Sequence, residues 1–339
     1  MSRKYTVAVV GVGAVGTEML RVLAEREFPA ERIRVLASRE RDQEIAGRVH
    51  HVEATTEESF DGVDIALFAG TEGARGASQL YGWAAVARGA IVIDNGDDFR
   101  MDPRVPLVIP EVNPEHLRQH KGFVSNPNCS TIQMIVALAP LHRAATIKRI
   151  VACSYQAVSG TGRDAIAELQ AQVDAIHEGR EPVAQVYPHQ IAFNCIPHIG
   201  SVKDEMPGYT SEELKMRRET RKILGDPDIA VTATCVRVPV FNGHAEAINV
   251  QFDRPITADE AREILRGADG IEVMDDMSSN LYPTQLQASG RDPVYVGRIR
   301  EDTSAPNCLD LWVVADNIRK GAALNAVQIA ETMIAMELL

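Results

Sequence analysis

The run Thr6-Val7-Ala8-Val9-Val10, followed at once by Gly11-Val12-Gly13-Ala14-Val15-Gly16, constrains the fold more than any other feature of this chain. A β-rich run without polar alternation reads as a strand buried on both faces, as strands of parallel sheets are. Residues 17–27 carry Met19, Leu20, Val22 and Leu23 at helical spacing, and residues 32–38 read as a second strand. Strand, G-x-G-x-x-G, helix, strand is the setting in which the glycine motif points to a dinucleotide site. The glycines allow a tight turn and let a pyrophosphate approach the helix N-terminus. A βαβ turn without a ligand is the plain alternative, and this setting favours nucleotide binding over it.

Further strands are expected over residues 63–69 and 90–94, short ones over 105–109 and 122–124, and a helix over 77–88. Alternating strands and helices imply a doubly wound sheet. From Ile147 the texture changes. Residues 148–158 form a long alternating strand, 162–179 a helix, and 229–240, 246–252, 295–299 and 309–315 further strands, with a closing helix over 321–339. The expected architecture is α/β. Residues 1–130 form a Rossmann-like doubly wound NAD(P)-binding domain. Residues 131–316 form a second domain of α+β type with a mixed, largely antiparallel sheet. Residues 317–339 form a C-terminal helix that packs back on the first domain.

The length of 339 residues exceeds one compact core and suits two domains. A formal net charge of −12 argues against nucleic-acid and anionic-membrane partners, so an anionic substrate would need a local cationic pocket. No apolar stretch reaches the roughly 20 residues of a membrane span. The N-terminus runs directly into a strand, and a cytoplasmic protein is expected. Cys129, Cys153, Cys195, Cys235 and Cys308 show neither C-x-x-C nor Cys/His ligand spacing, so no disulfide framework and no metal is indicated. His50-His51 reads as surface.

Ser125-Asn126-Pro127-Asn128-Cys129-Ser130-Thr131 closes a short strand and opens the apolar run Ile132-Gln133-Met134-Ile135-Val136-Ala137-Leu138-Ala139. A polar, Pro-containing cluster before helix-length hydrophobic sequence is a helix start. Cys129 is therefore expected at a helix N-terminus, where the unpaired N–H groups favour a thiolate, the nucleophilic form of cysteine. The plain alternative is a small packing residue. Asn126 and Asn128 are expected to offer amide donors beside the sulfur.

These blocks resemble the aspartate-β-semialdehyde dehydrogenase family, and the resemblance runs over nearly the whole chain. Its nucleophile segment is similar to residues 125–131, and its substrate and nicotinamide loop to Ser154-Tyr155-Gln156-Ala157-Val158-Ser159-Gly160. Further blocks are Phe193-Asn194-Cys195-Ile196-Pro197-His198-Ile199, Arg237-Val238-Pro239-Val240-Phe241-Asn242-Gly243-His244, and residues 292–300 and 315–327. The resemblance implies NADP-dependent reductive dephosphorylation of L-aspartyl-4-phosphate to the semialdehyde, with release of inorganic phosphate. Cys129 would form a thioester and His244 would be the acid/base. Read without the family, His189 and His198 stay open beside His244. Gln156, Glu212 and Arg237 would bind the substrate, Arg237 through its guanidinium fork. Arg100, Asn128 and Lys215 would bind phosphate. Gly11, Val12, Gly13, Ala14, Val15, Ser38, Arg39, Arg41, Ser159, Gly160 and Asn317 would bind the cofactor. A homodimer or homotetramer through the second domain's sheet is implied.

The sequence departs from the family in three places. The first glycine loop is one residue shorter than usual. In Ala37-Ser38-Arg39-Glu40-Arg41-Asp42, Glu40 stands where an Arg is expected to pair the 2′-phosphate, so NAD use is also open. The third departure is Thr71-Glu72-Gly73-Ala74-Arg75-Gly76, where the family often has Gly-Gly-Ser. Three alternatives compete: an N-acetyl-glutamyl-phosphate reductase, whose nucleophile segment differs from Asn128-Cys129-Ser130-Thr131; a non-catalytic nucleotide-binding paralogue; and a Cys/His hydrolase.

Overall fold

The structure is a computed structural model describing residues 3–45, 47–70 and 76–339. It separates into two compact units, Met1–Asn128 with Gly321–Leu339, and Cys129–Lys320. The departure at residues 71–75 lies outside the described residues.

The first unit is built on seven strands: β1 Tyr5–Val10, β2 Ala30–Ala37, β3 Arg41–Ile45, β4 Arg48–Ala54, β5 Ile65–Phe68, β6 Ile91–Asp94 and β7 Phe123–Ser125. Their order is β3-β4-β2-β1-β5-β6-β7. Every pairing is parallel except β3 with β4. β1 lies between β2 and β5, and Val7, Ala8 and Val9 are fully buried, which explains the run without polar alternation. Helix α1, Ala14–Glu25, starts three residues before the expected position and buries Met19, Leu20, Val22 and Leu23. The closing helix Leu324–Ala335 joins the same core, and Arg26 clasps Glu331 through two hydrogen bonds of 2.8 and 2.7 Å.

Two local expectations need correction, and one element was not foreseen. Residues 105–109 form no strand: Leu107 makes a single parallel bridge to Ser125. Pro106 lacks an N–H, and β7 offers only three residues to pair with. The segment 77–88 opens with a wide π-type turn, Ser78–Gly82, before helix α2, Trp83–Ala87. The β3–β4 hairpin was not expected. It is a polar edge, so its strands carry no hydrophobic alternation to give them away.

The second unit holds α3 Cys129–Ala145, β8 Ile147–Gln156, α4 Arg163–His177, α5 Ser211–Leu224, β9 Ala230–Arg237, β10 His244–Phe252, α6 Ala258–Arg266, β11 Ile271–Val273, α7 Gln285–Ala288, β12 Val294–Glu301 and β13 Cys308–Ala315. The sheet order is β11-β12-β13-β10-β8-β9. β10 is antiparallel to both neighbours, β12–β13 is antiparallel, and β8–β9 and β11–β12 are parallel. Ile150, Ala152, Ser154 and Gln156 of β8 are buried together with His244, Glu246, Ile248, Val250 and Phe252 of β10. This alternation is that of a sheet with one covered face. α3 packs on this sheet and against α5 and α6. It is buried continuously from Ser130 to Leu141, as a helix enclosed on all sides must be.

Among the described residues, no helix is long and apolar enough to cross a membrane, and no group of three acidic, His or Cys side chains could hold a metal ion.

Candidate active site

In the first unit, the Gly11–Gly16 turn is fixed by close packing. Gly11 adopts φ +103, and its N–H donates to Leu36 O at 2.8 Å. A Cβ on Gly16 would lie 1.9 Å from Gly11 O, so only glycine lets α1 begin this close to β1. Gly13 stands at the N-cap of the helix, whose first turn carries Ala14 and Val15. A helix N-terminus favours an anion, and a glycine turn this close to β1 has the backbone form that a pyrophosphate would need.

Ser38, Arg39, Glu40 and Arg41 follow β2 and are exposed. Arg41 donates to Gln43 Oε1 at 2.9 Å and to Arg39 O at 3.0 Å. The hairpin brings His51 against both acids of this segment, 3.5 Å from Glu40 and 3.0 Å from Asp42. The hydrogen bond that His51 donates to Asp42 raises its proton affinity above the usual imidazole range. His51 is thus a surface residue, as its sequence setting suggested, but it faces the acid that replaces the expected arginine.

Arg100 is buried, and donates to Asn126 O at 2.9 Å and Asn95 O at 2.7 Å. The amide of Asn126 donates to Pro127 O at 3.2 Å and accepts from Asn325 at 2.7 Å. It thus fixes the loop. Asn128 is buried. Cys129, half-buried, is the first residue of α3. No two of the five cysteines are disulfide-bonded. Burial pushes the Cys235 thiol up, so that cysteine is inert by comparison.

The second unit gathers the remaining residues in three groups. In the first, Gln156 Nε2 donates to Ser154 Oγ at 3.1 Å and to Glu212 Oε1 at 3.3 Å, and Lys215 stands 3.8 Å from Glu212 one helical turn away. The capping box of Glu213 with the Thr210 N–H orients this turn of α5 (2.8 Å).

In the second group, Arg237 at the end of β9 and His244 at the start of β10 both abut Gly160. A Cβ there would lie 3.0 Å from Arg237 Nη1 and 3.2 Å from His244 Nε2. Arg237 is 4% exposed; Nη1 donates to Ala157 O at 2.6 Å, and Nε is buried without a partner. His244 is fully buried. Its Nδ1 accepts the Ala157 N–H at 3.1 Å, and its Nε2 has no hydrogen-bond partner. Burial, then the neighbouring Arg237 charge, push its pKa down to about 3, against one opposing backbone hydrogen bond. The ring is therefore neutral at ordinary pH, and the Ala157 bond assigns its proton to Nε2.

In the third group, Ser159 and Asn317 exchange hydrogen bonds of 3.2 and 3.0 Å, and Asn317 Oδ1 accepts the Gly243 N–H at 2.9 Å. Asn242 links this group to Asp316 at 2.6 Å. Asn242 was not singled out in the sequence, although it sits in the Asn-Gly-His turn that aims His244. His189 and His198 are exposed, outside this cluster.

Residues 6–120 match the family model for the semialdehyde dehydrogenase NAD binding domain, and residues 138–320 that for the semialdehyde dehydrogenase dimerisation domain. The aspartate-semialdehyde dehydrogenase of Aquifex aeolicus is 50% identical, over 97% of this chain and 98% of that protein. The Legionella pneumophila enzyme of the same name is 49% identical, over 98% and 96%. The chain belongs to the aspartate-semialdehyde dehydrogenase family. A solved structure of aspartate semialdehyde dehydrogenase II from Vibrio cholerae, complexed with ASA, superposes with TM-score 0.93 at 45% identity, covering 98% of this chain and 99% of that one. As an aspartate-semialdehyde dehydrogenase family member it is an oxidoreductase, and its first unit is a nicotinamide-dinucleotide-binding domain.

Proposed function

We propose that this chain converts L-aspartyl-4-phosphate to L-aspartate-4-semialdehyde with NADPH through a thioester on Cys129. The carrying observation is the packing of Gly160 against both Arg237 and His244, which joins a carboxylate clamp to an imidazole donor at one loop. The Cys129 thiolate attacks the acyl carbon, a C–S bond forms, and the C–O bond to phosphate breaks, releasing phosphate. When bound, the nicotinamide supplies the hydride that reduces the thioester carbon. Collapse then breaks the C–S bond, returning the thiolate and freeing the aldehyde.

Arg237, with Nε unpartnered and Nη1 held by Ala157 O, would receive the α-carboxylate. Glu212 would take the α-ammonium, and Gln156, held by Ser154 and Glu212, would orient the acyl group. Arg100, Asn128 and Lys215 would hold phosphate. His244 presents Nε2–H and so acts as a donor to charge developing on the acyl oxygen. A carboxylate on Arg237 cancels the second cause of the low His244 proton affinity, so substrate binding raises that affinity and prepares the ring to exchange a proton.

Gly11, Val12, Gly13, Ala14 and Val15 would cradle the pyrophosphate. Ser38, Arg39 and Arg41 would meet the adenosine ribose, and Ser159, Gly160 and Asn317 the nicotinamide. Arg39 and Arg41 flank Glu40, which supports NADP use with weakened discrimination against NAD. The chain would act in the cytoplasm, where thiols stay reduced. It would assemble as a homodimer or homotetramer through the half-exposed sheet face bearing Cys153, Tyr155, Ala247 and Trp312. A monomer in sedimentation velocity would contradict that assembly.

The test is phosphate-dependent oxidation of aspartate semialdehyde with NADP and with NAD. Turnover with both, NADP preferred by less than several thousand-fold in kcat/KM, is expected. Turnover only of N-acetyl-glutamate semialdehyde, or none, would overturn the reading.

A further inference from the structure

Between α4 and α5 the chain runs without regular structure past Tyr187, and two side chains of α4 hold it in place. Glu168, buried, accepts the backbone N–H of Gln185 at 2.8 Å, that of Val186 at shorter range and that of Tyr187 at 3.4 Å. One turn further along α4, Gln172 Oε1 accepts the N–H groups of Ile191 and Ala192 at 2.9 and 3.0 Å. Its Nε2 donates to Glu168 Oε1 at 3.2 Å and Val183 O at 3.0 Å. A carboxylate gathering successive N–H groups is a strong, directional restraint. It immobilises a segment that otherwise has no ladder of its own.

The residue this latch presents is Tyr187. Its ring stands under the Arg237 guanidinium, 5.9 Å from carbon to centroid, within cation–π range. Its hydroxyl donates to Thr161 Oγ1 at 2.9 Å, tying the ring to the turn that contains Gly160. Arg237 is thus confined by Ala157 O, by the Gly160 backbone and by an aromatic face, with Nε unpartnered.

We infer that Tyr187, held by Glu168 and Gln172, is the positioning residue that orients Arg237 for a substrate carboxylate and so sets affinity for that end of the substrate. This rests on the reading of Arg237 as the carboxylate clamp. A long flexible guanidinium loses orientation without a planar partner, and the lost geometry is felt in binding more than in bond making.

The test is steady-state kinetics with aspartate semialdehyde on Tyr187→Phe, Tyr187→Leu and Arg237→Ala. Tyr187→Phe keeps the ring, and its KM should stay within about twofold of the parent. Tyr187→Leu should raise KM for the semialdehyde about five- to tenfold, with kcat changed less than about threefold and KM for phosphate and cofactor unmoved. Should Tyr187→Leu not fold, Glu168→Gln, which loosens the latch without touching Arg237, should raise the same KM. An unchanged semialdehyde KM in the folded Leu variant, or in Glu168→Gln if Leu fails, would overturn the inference, as would a Phe variant as impaired as Leu. Arg237→Ala separates the two levels. If it too leaves KM unchanged, the clamp reading has failed; if only the Tyr187 variants are silent, this inference alone has.

Discussion

The backbone N–H of Ala157 donates to Nδ1 of His244 across 3.1 Å, which turns a buried imidazole into an Nε2–H donor. Ala157 belongs to the same loop as Gly160, and its carbonyl holds Arg237. One residue of main chain therefore sets both the tautomer of the imidazole and the orientation of the guanidinium.

A donor role separates His244→Gln from His244→Ala. Glutamine can return an N–H near the Nε2 position, so kcat should fall by about 10- to 100-fold, against about 10²- to 10⁴-fold for alanine. Steady-state assays at fixed pH measure the gap. Equal losses would mean that proton exchange, and not donation, is what the ring provides.

The low proton affinity of His244 also bears on stability. Its folded pKa of about 3 lies below the unfolded value of 6.5, so the folded state binds fewer protons between them. The contribution is full above pH 6.5 and lost as pH falls toward 3, with a ceiling of about 5 kcal/mol. Thermal melts of His244→Asn over this window should show a flatter acid limb than the parent. Parallel limbs would contradict the shift.

Glu246 has the opposite sign. It is fully buried on β10, two residues from His244, and neither carboxyl oxygen closes a hydrogen bond. Burial raises its pKa well above 4.5 and Glu212 adds to this, while Gln133, its polar neighbour on α3, opposes it. Its contribution is present below pH 4.5 and is lost as pH rises toward the folded pKa. Glu246→Gln mimics the neutral acid. Its melting temperature should decline less than the parent's as pH rises from 4.5, and an identical decline would rule this out.

Much of this was legible in the chain because it rests on local rules. The glycine turn is dictated by sterics at Gly16, and the helix start at Cys129 by the polar-to-apolar switch. The β3–β4 hairpin was not, because polar edge strands lack the alternation that buried faces impose. Nor were Tyr187 and Glu246. Tyr187 meets Arg237 across 50 residues of chain, through a segment whose shape comes from side-chain hydrogen bonds and not from periodicity. Glu246 is in phase with Ile248, Val250 and Phe252, but a carboxylate on that face is not singled out until the sheet shows that His244 and Glu246 share the covered face.

The most direct measurement of the central claim is phosphate-dependent oxidation of aspartate semialdehyde by Cys129→Ala, with folding followed by thermal melt and NADP binding by titration. The account predicts turnover lost by at least about 10³-fold with the melt and cofactor affinity retained, since the thioester has no alternative nucleophile. Turnover at the parent rate in the folded variant would contradict it.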